Sequence, residues 1–206
     1  VNRRRTAAAV LALCAAGALT ACSSGPAHPG AAAVVGNDRI TVATLQSHVS
    51  AFQSAAAGNS TALQKSGVSE RTLALLVSDQ LVDQALAREG GSVTEGQIQQ
   101  VEAAYLQQAG SVQALQQAVV DNLQLAPADL ELYAHLQAGQ VLLVQAAGVD
   151  PSSSTADSAL QQIISKASDE IGVTVNPRYG SWDAKALTLA AANQPWLKTA
   201  SATTPA

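Results

Sequence analysis

Apolar residues in this chain recur mostly at helical spacing. Behind Thr41, which is placed to cap a helix, Val42, Leu45, Val49 and Phe52 stand three, four and three residues apart, the spacing of one buried helix face. After a loose stretch from Gly58 to Gly67, Ser69 is placed to cap a second helix reaching about Glu89. Its Leu73, Leu75, Leu76, Val77, Leu81, Val82 and Leu86 cover more than one stripe and predict contacts on several sides, as in a central helix. Gly90-Gly91 ends it, and Thr94 opens a third helix with Ile98, Val101 and Tyr105 inward, up to Gly110. Ser111 opens a fourth, with Val112, Leu115, Val119 and Leu123. Pro127 suits the first turn of a long fifth, with Leu130, Tyr133, Leu136, Val141 and Val144.

The stretch Gly148 to Ser154 interrupts this series, and a last helix over 155–171 aligns Leu160, Ile163, Ile164, Ala167 and Ile171. Two segments keep a strand-like period instead. Near the start, Ala33-Val34-Val35 and Arg39-Ile40-Thr41 flank Gly36-Asn37 and predict a hairpin. Near the end, Val173-Thr174-Val175 alternates, Asn176-Pro177 turns, and Tyr179 to Trp182 reads as a second short strand. The expected fold is mainly α, with a small β-hairpin or sheet joining the N- and C-terminal segments. Residues 184–206, rich in Ala and Thr, are expected to be a mobile tail.

The first residues carry a different message. Arg3, Arg4 and Arg5 precede an apolar run from Ala7 to Leu19 that is too short to span a bilayer stably, and Leu19-Thr20-Ala21-Cys22 follows. This arrangement resembles the lipobox of bacterial lipoproteins. The resemblance implies a signal peptide over 1–21, a diacylglyceryl group on the thiol of Cys22, and a mature chain beginning there. A signal in which Cys22 is incidental is the alternative. Two or three acyl chains hold a protein on a membrane, whereas one is marginal. The expectation is a lipid anchor on the extracytoplasmic face of the cell membrane, with residues 22–32 as a flexible tether. Cys14 falls in the discarded segment, so no disulfide is expected.

Charge narrows the partners. The chain carries 11 basic and 15 acidic residues. Removing the three signal arginines leaves 8 against 15, a net charge of −7, which disfavours nucleic acid. Aromatics are 3%, so the core relies on aliphatic residues and on small ones that let helices approach.

Several segments together resemble the SurA N-terminal chaperone domain. They are Ala33 to Thr41 with Leu45 behind it, Leu75 to Val82 with Gln84-Ala85, and Val93 to Ile98 after Gly91. Val173 to Asp183 is similar to the C-terminal piece of actinobacterial lipoproteins with that domain. The resemblance covers most of 33–183 and implies one discontinuous helical domain, 33–146 plus a returning helix and strands over 155–183. SurA and PrsA relatives bind unfolded exported proteins, and many carry a parvulin prolyl isomerase before the returning helix. Here the gap from Ala146 to Ser154 is far too short for such a module. No isomerase activity is expected.

Candidate chemistry is otherwise sparse. No phosphate loop, dinucleotide fingerprint, zinc-protease pair or nucleophile elbow occurs. His48 and His135 are expected at the surface or at helix ends. Asp79 and Asp83, one helical turn apart, are placed to share a cation, but two carboxylates fall short of what a hard ion takes and a solvated face is expected. Asp169-Glu170 has the same reading. No catalytic residue, metal or cofactor is expected. Tyr179 and Trp182 either close the core or, with Arg178, meet a peptide. Phe52, Tyr105, Tyr179 and Trp182 are the candidate client contacts. The leading expectation is a holdase for unfolded or nascent exported proteins. A scaffold lipoprotein recognising one folded envelope partner is the alternative, and a small-ligand-binding lipoprotein is a third reading. Oligomeric state is left open.

Overall fold

The computed structural model describes residues 30–64 and 67–191. The expected signal peptide and lipobox, with Leu19, Thr20, Ala21 and Cys22, lie outside the described residues, as does 192–206. The chain opens with β1 (Ala31–Val35) and β2 (Asp38–Thr41), turning at Gly36. Strand β3 (Val173–Val175) pairs antiparallel on the other side of β1, with Val34 opposite Thr174, giving the order β2-β1-β3. Segments 31–41 and 173–175 therefore meet in one sheet, as the expected fold has it.

Seven α-helices lie between and beside these strands among the described residues: α1 (Val42–Ala55), α2 (Ser60–Gln64), α3 (Val68–Arg88), α4 (Glu95–Ala109), α5 (Val112–Ala118), α6 (Leu130–Ala146) and α7 (Ala156–Ile171). Helix α3 is the hub. Its buried residues run nearly without interruption from Thr72 to Ser78 and on to Leu86, and it touches α1, α6, α7 and β1. That is why its sequence carried more than one apolar stripe. Helix α6 comes close to it at Gly139, where an added Cβ would stand 2.5 Å from Val82 Cγ1. Only glycine admits that spacing.

The helix ends follow local hydrogen bonding. Thr41 Oγ1 accepts from Thr44 N at 2.9 Å, Ser111 Oγ accepts from Ala114 N at 3.1 Å, and Thr94 N donates to Gln97 Oε1 at 2.8 Å, satisfying amides a helix start leaves open. The second expected cap is different. Helix α3 starts one residue before Ser69, behind Gly67 with φ +79°.

Five expectations are corrected. The tether expected over 22–32 does not include Ala31 and Ala32, which are strand residues, 6% and 0% exposed. Their peptide oxygens accept from Asn176 Nδ2 and Asn176 N. A central strand covered on both faces shows no alternation, so Ala-Ala resembled linker. The loose stretch from Gly58 contains the one-turn helix α2. The helix expected to carry Val112 through Leu123 breaks at Ala118 into a π-turn over Val119–Leu123, followed by Gln124 with φ +57°. Val112, the first residue of α5, is 59% exposed, and Val141 on α6 is also exposed at 42%, so neither faces the core. Pro127–Asp129 forms a 3₁₀ turn ahead of α6 rather than its first α-turn.

The fifth correction concerns the end of the domain. Pro177–Tyr179 is a 3₁₀ turn, held where Asn176 Oδ1 accepts from Arg178 N at 3.1 Å. Strand β4 (Ser181–Asp183) then leaves the first sheet and pairs with β5 (Thr188–Ala190), inside the segment expected to be mobile. Asp183 Oδ1 accepts from Lys185 N and Ala186 N and so builds the turn between them. Among the described residues, no helix is long and apolar enough to cross a membrane.

Candidate functional site

The antiparallel ladder determines which backbone groups of β3 are spent. Gly36 N donates to Gly172 O at 2.8 Å and Asn176 N to Ala32 O at 2.9 Å, so Gly172, Thr174 and Asn176 face β1. By alternation, the N–H and C=O groups of Val173 and Val175 face away from β1. Strand β3 is an edge in the sheet order, and these groups have no backbone partner among the described residues. Edges of this kind accept another strand unless something blocks them.

Along this edge lies an open groove of about 710 Å³. One wall is the C-terminal end of α7 with Ser168 and Asp169, and the floor is Gly172 to Val175. Pro177, Gly180, Ser181, Trp182, Ala184 and Ala191 complete the lining. The lining is mostly small or apolar, with Asp169 as its one charged member. Trp182 is half-buried, and its Nε1 donates to Ser168 Oγ at 3.0 Å. Its polar edge is thereby satisfied, leaving its ring to shape the wall. The Asn176-Pro177 turn sends β4 past β3 without pairing to it.

The sequence-based candidates separate here. Trp182 lines the groove. Tyr179 is 6% exposed and Phe52 1% exposed; both belong to the core, so neither presents a contact surface. Tyr105 packs against Tyr133 with ring centroids 5.9 Å apart and tilted by 41°. That contact makes the residue a rung between α4 and α6, and burial with the neighbouring phenol pushes the pKa of the Tyr105 hydroxyl up to about 12. Ser168, only 7% exposed, was missed. The available signal was a small polar residue one turn beyond Ile164 on the apolar face of α7.

The histidines are also corrected. His48 Nδ1 lies 2.7 Å from Oδ1 of the buried Asp129, which joins α1 to the turn before α6. His135 Nδ1 lies 2.7 Å from Asp79 Oδ1, and its Nε2 lies 3.5 Å from Asp83 Oδ1. Asp79 and Asp83 therefore converge on a histidine of the neighbouring helix rather than forming a plain solvated face. Burial raises the Asp79 carboxyl above its ordinary range, more than His135 lowers it, and burial likewise raises Asp83. For His135, burial opposes the charged ring, but the hydrogen bond and charge of Asp79, with Asp83 and Glu131 adding, outweigh it. Its titration moves up.

Comparisons with protein-family models, with curated proteins and with solved structures give no match to this chain.

Proposed function

We propose that this protein is a lipid-anchored, extracytoplasmic holdase of the SurA-like kind that binds extended segments of non-native exported polypeptides in the groove beside β3. The observation that carries the reading is the free edge of β3 flooring a small-residue groove. Backbone groups of Val173 and Val175 offer main-chain hydrogen bonds, which every polypeptide can answer whatever its sequence. Apolar walls add non-directional burial. Such a site needs no nucleotide and has weak sequence preference. The lipobox-like Leu19-Thr20-Ala21-Cys22 supports placement at the membrane.

The test uses Val175→Pro, which deletes an N–H that β1 does not use and is tolerated at a strand edge. The parent protein is expected to suppress aggregation of several unrelated unfolded clients at stoichiometric ratio, and Val175→Pro to lose most of that protection while melting like the parent. A photo-crosslinker at exposed Ser181 is expected to capture the same clients. Protection retained by Val175→Pro, with no crosslink at Ser181, removes the groove from the reading. No protection by the parent, together with one stoichiometric partner in a membrane pull-down, favours the scaffold alternative. Cys22→Ala is expected to release the protein from the membrane fraction.

A further inference from the structure

The two contacts of the His135 ring differ in kind. At 2.7 Å, Nδ1 and Asp79 Oδ1 are at hydrogen-bond distance, and because a carboxylate only accepts, the proton sits on Nδ1. At 3.5 Å, Nε2 and Asp83 Oδ1 are too far apart for a good hydrogen bond. That separation matches two atoms bound to one tetrahedral cation, since ligands at about 2.0–2.2 Å stand about 3.3–3.6 Å apart. Three donor atoms, one from each of Asp79, Asp83 and His135, lie within 4.8 Å of one another.

From this geometry we propose that His135 Nε2 and Asp83 bind a divalent transition cation of the Zn²⁺ class, with Asp79 as the carboxylate that orients the ring. A metal-bound imidazole commonly donates its other N–H to a carboxylate, which fixes the tautomer and makes the ligating nitrogen more basic. Asp79 holds that position. Mixed imidazole and carboxylate donors suit Zn²⁺ better than Mg²⁺ or Ca²⁺, which prefer oxygen. Asp83 is 48% exposed in its side chain while Asp79 is 14% exposed, so the bound ion faces solvent and completes its shell with water. The ion adds a strap between α3 and α6. It also relieves the repulsion and desolvation of two carboxylates held one turn apart. The site is independent of the groove, so either proposal can fail alone.

The experiment titrates the full chain, with Cys14 and Cys22 replaced by serine so that no thiolate competes, with Zn²⁺ by calorimetry and with Co²⁺ by visible absorption. One ion per chain is expected, with nitrogen-15 shifts placing it on Nε2 of His135, and a melting temperature that rises with Zn²⁺. Asp83→Asn is expected to abolish these responses, and its exposure leaves the fold intact. Asp79→Asn is expected to weaken binding about 10–100-fold. Mg²⁺ is expected to leave the melting temperature unchanged. Equal Zn²⁺ affinity in the parent and Asp83→Asn, or a shift on Nδ1 alone, overturns the assignment.

Discussion

The indole of Trp182 reaches across from β4 to donate to Ser168 Oγ on α7, 3.0 Å away. It ties the two-stranded sheet to the last helix and holds one wall of the groove. Trp182→Phe keeps most of the apolar bulk but leaves the buried Ser168 hydroxyl without this partner. A loss of about 1 kcal/mol in urea unfolding is expected, and Trp182→Ala is expected to lose more by opening a void. Ser168→Ala combined with Trp182→Phe is expected to cost less than the two single losses added. Strict additivity would show that the hydrogen bond contributes nothing.

Gly139 gives the sharpest steric prediction. A methyl group there would collide with Val82 on the hub helix, and both residues lie on helices packed along their length. Gly139→Ala should therefore destabilise by about 1–3 kcal/mol through overpacking, although alanine favours an isolated helix by about 1 kcal/mol. Chemical denaturation settles the sign. A more stable variant would mean that α3 and α6 separate without cost.

The pair of His48 and Asp129 joins elements 81 residues apart in sequence. His48→Ala strands a buried carboxylate and is expected to cost about 1–3 kcal/mol. Asp129→Asn in the His48→Ala background is expected to recover part of that loss. A double-mutant cycle reads the coupling directly. Zero coupling would reduce the contact to coincidence.

Acid–base titration around His135 predicts the pH dependence of stability. The ring's folded pKa lies above its ordinary 6.5, so its contribution is fully present below that value and disappears as pH rises through the folded pKa. Asp79 and Asp83 are also raised from 3.8. Their contribution is likewise lost on raising the pH, but in the acid range. In a metal chelator, the melting temperature is expected to fall as the pH rises above about 6.5 and through the raised folded pKa, and His135→Asn is expected to flatten that fall. Glu131 adds to the effect by its charge. An unchanged slope in His135→Asn would assign the dependence elsewhere.

Periodicity was enough to place the buried faces of α1, α3 and α7, because a helix that packs on a core must repeat its apolar residues at that spacing. It was also enough to place Ala33–Val35, Arg39–Thr41 and Val173–Val175 in strands. Where backbone pairing overrode side-chain pattern, the sequence was mute: Ala31 and Ala32 are core residues with linker composition, and the helix expected through Leu123 breaks into a π-turn after Ala118. The groove was not legible, since a free strand edge is defined by which neighbour is missing. Trp182 stood out as a rare aromatic, but its partner Ser168 is an ordinary residue in one dimension.

The amino-acid sequence by itself determined the helical class and the hub helix, because each depends on residues close together along the chain. Tertiary structure alone decided that β3 exposes one edge beside α7. It also decided that Asp79 and Asp83 meet His135, since 56 residues separate Asp79 from that ring and only the packing of α3 on α6 brings them within reach.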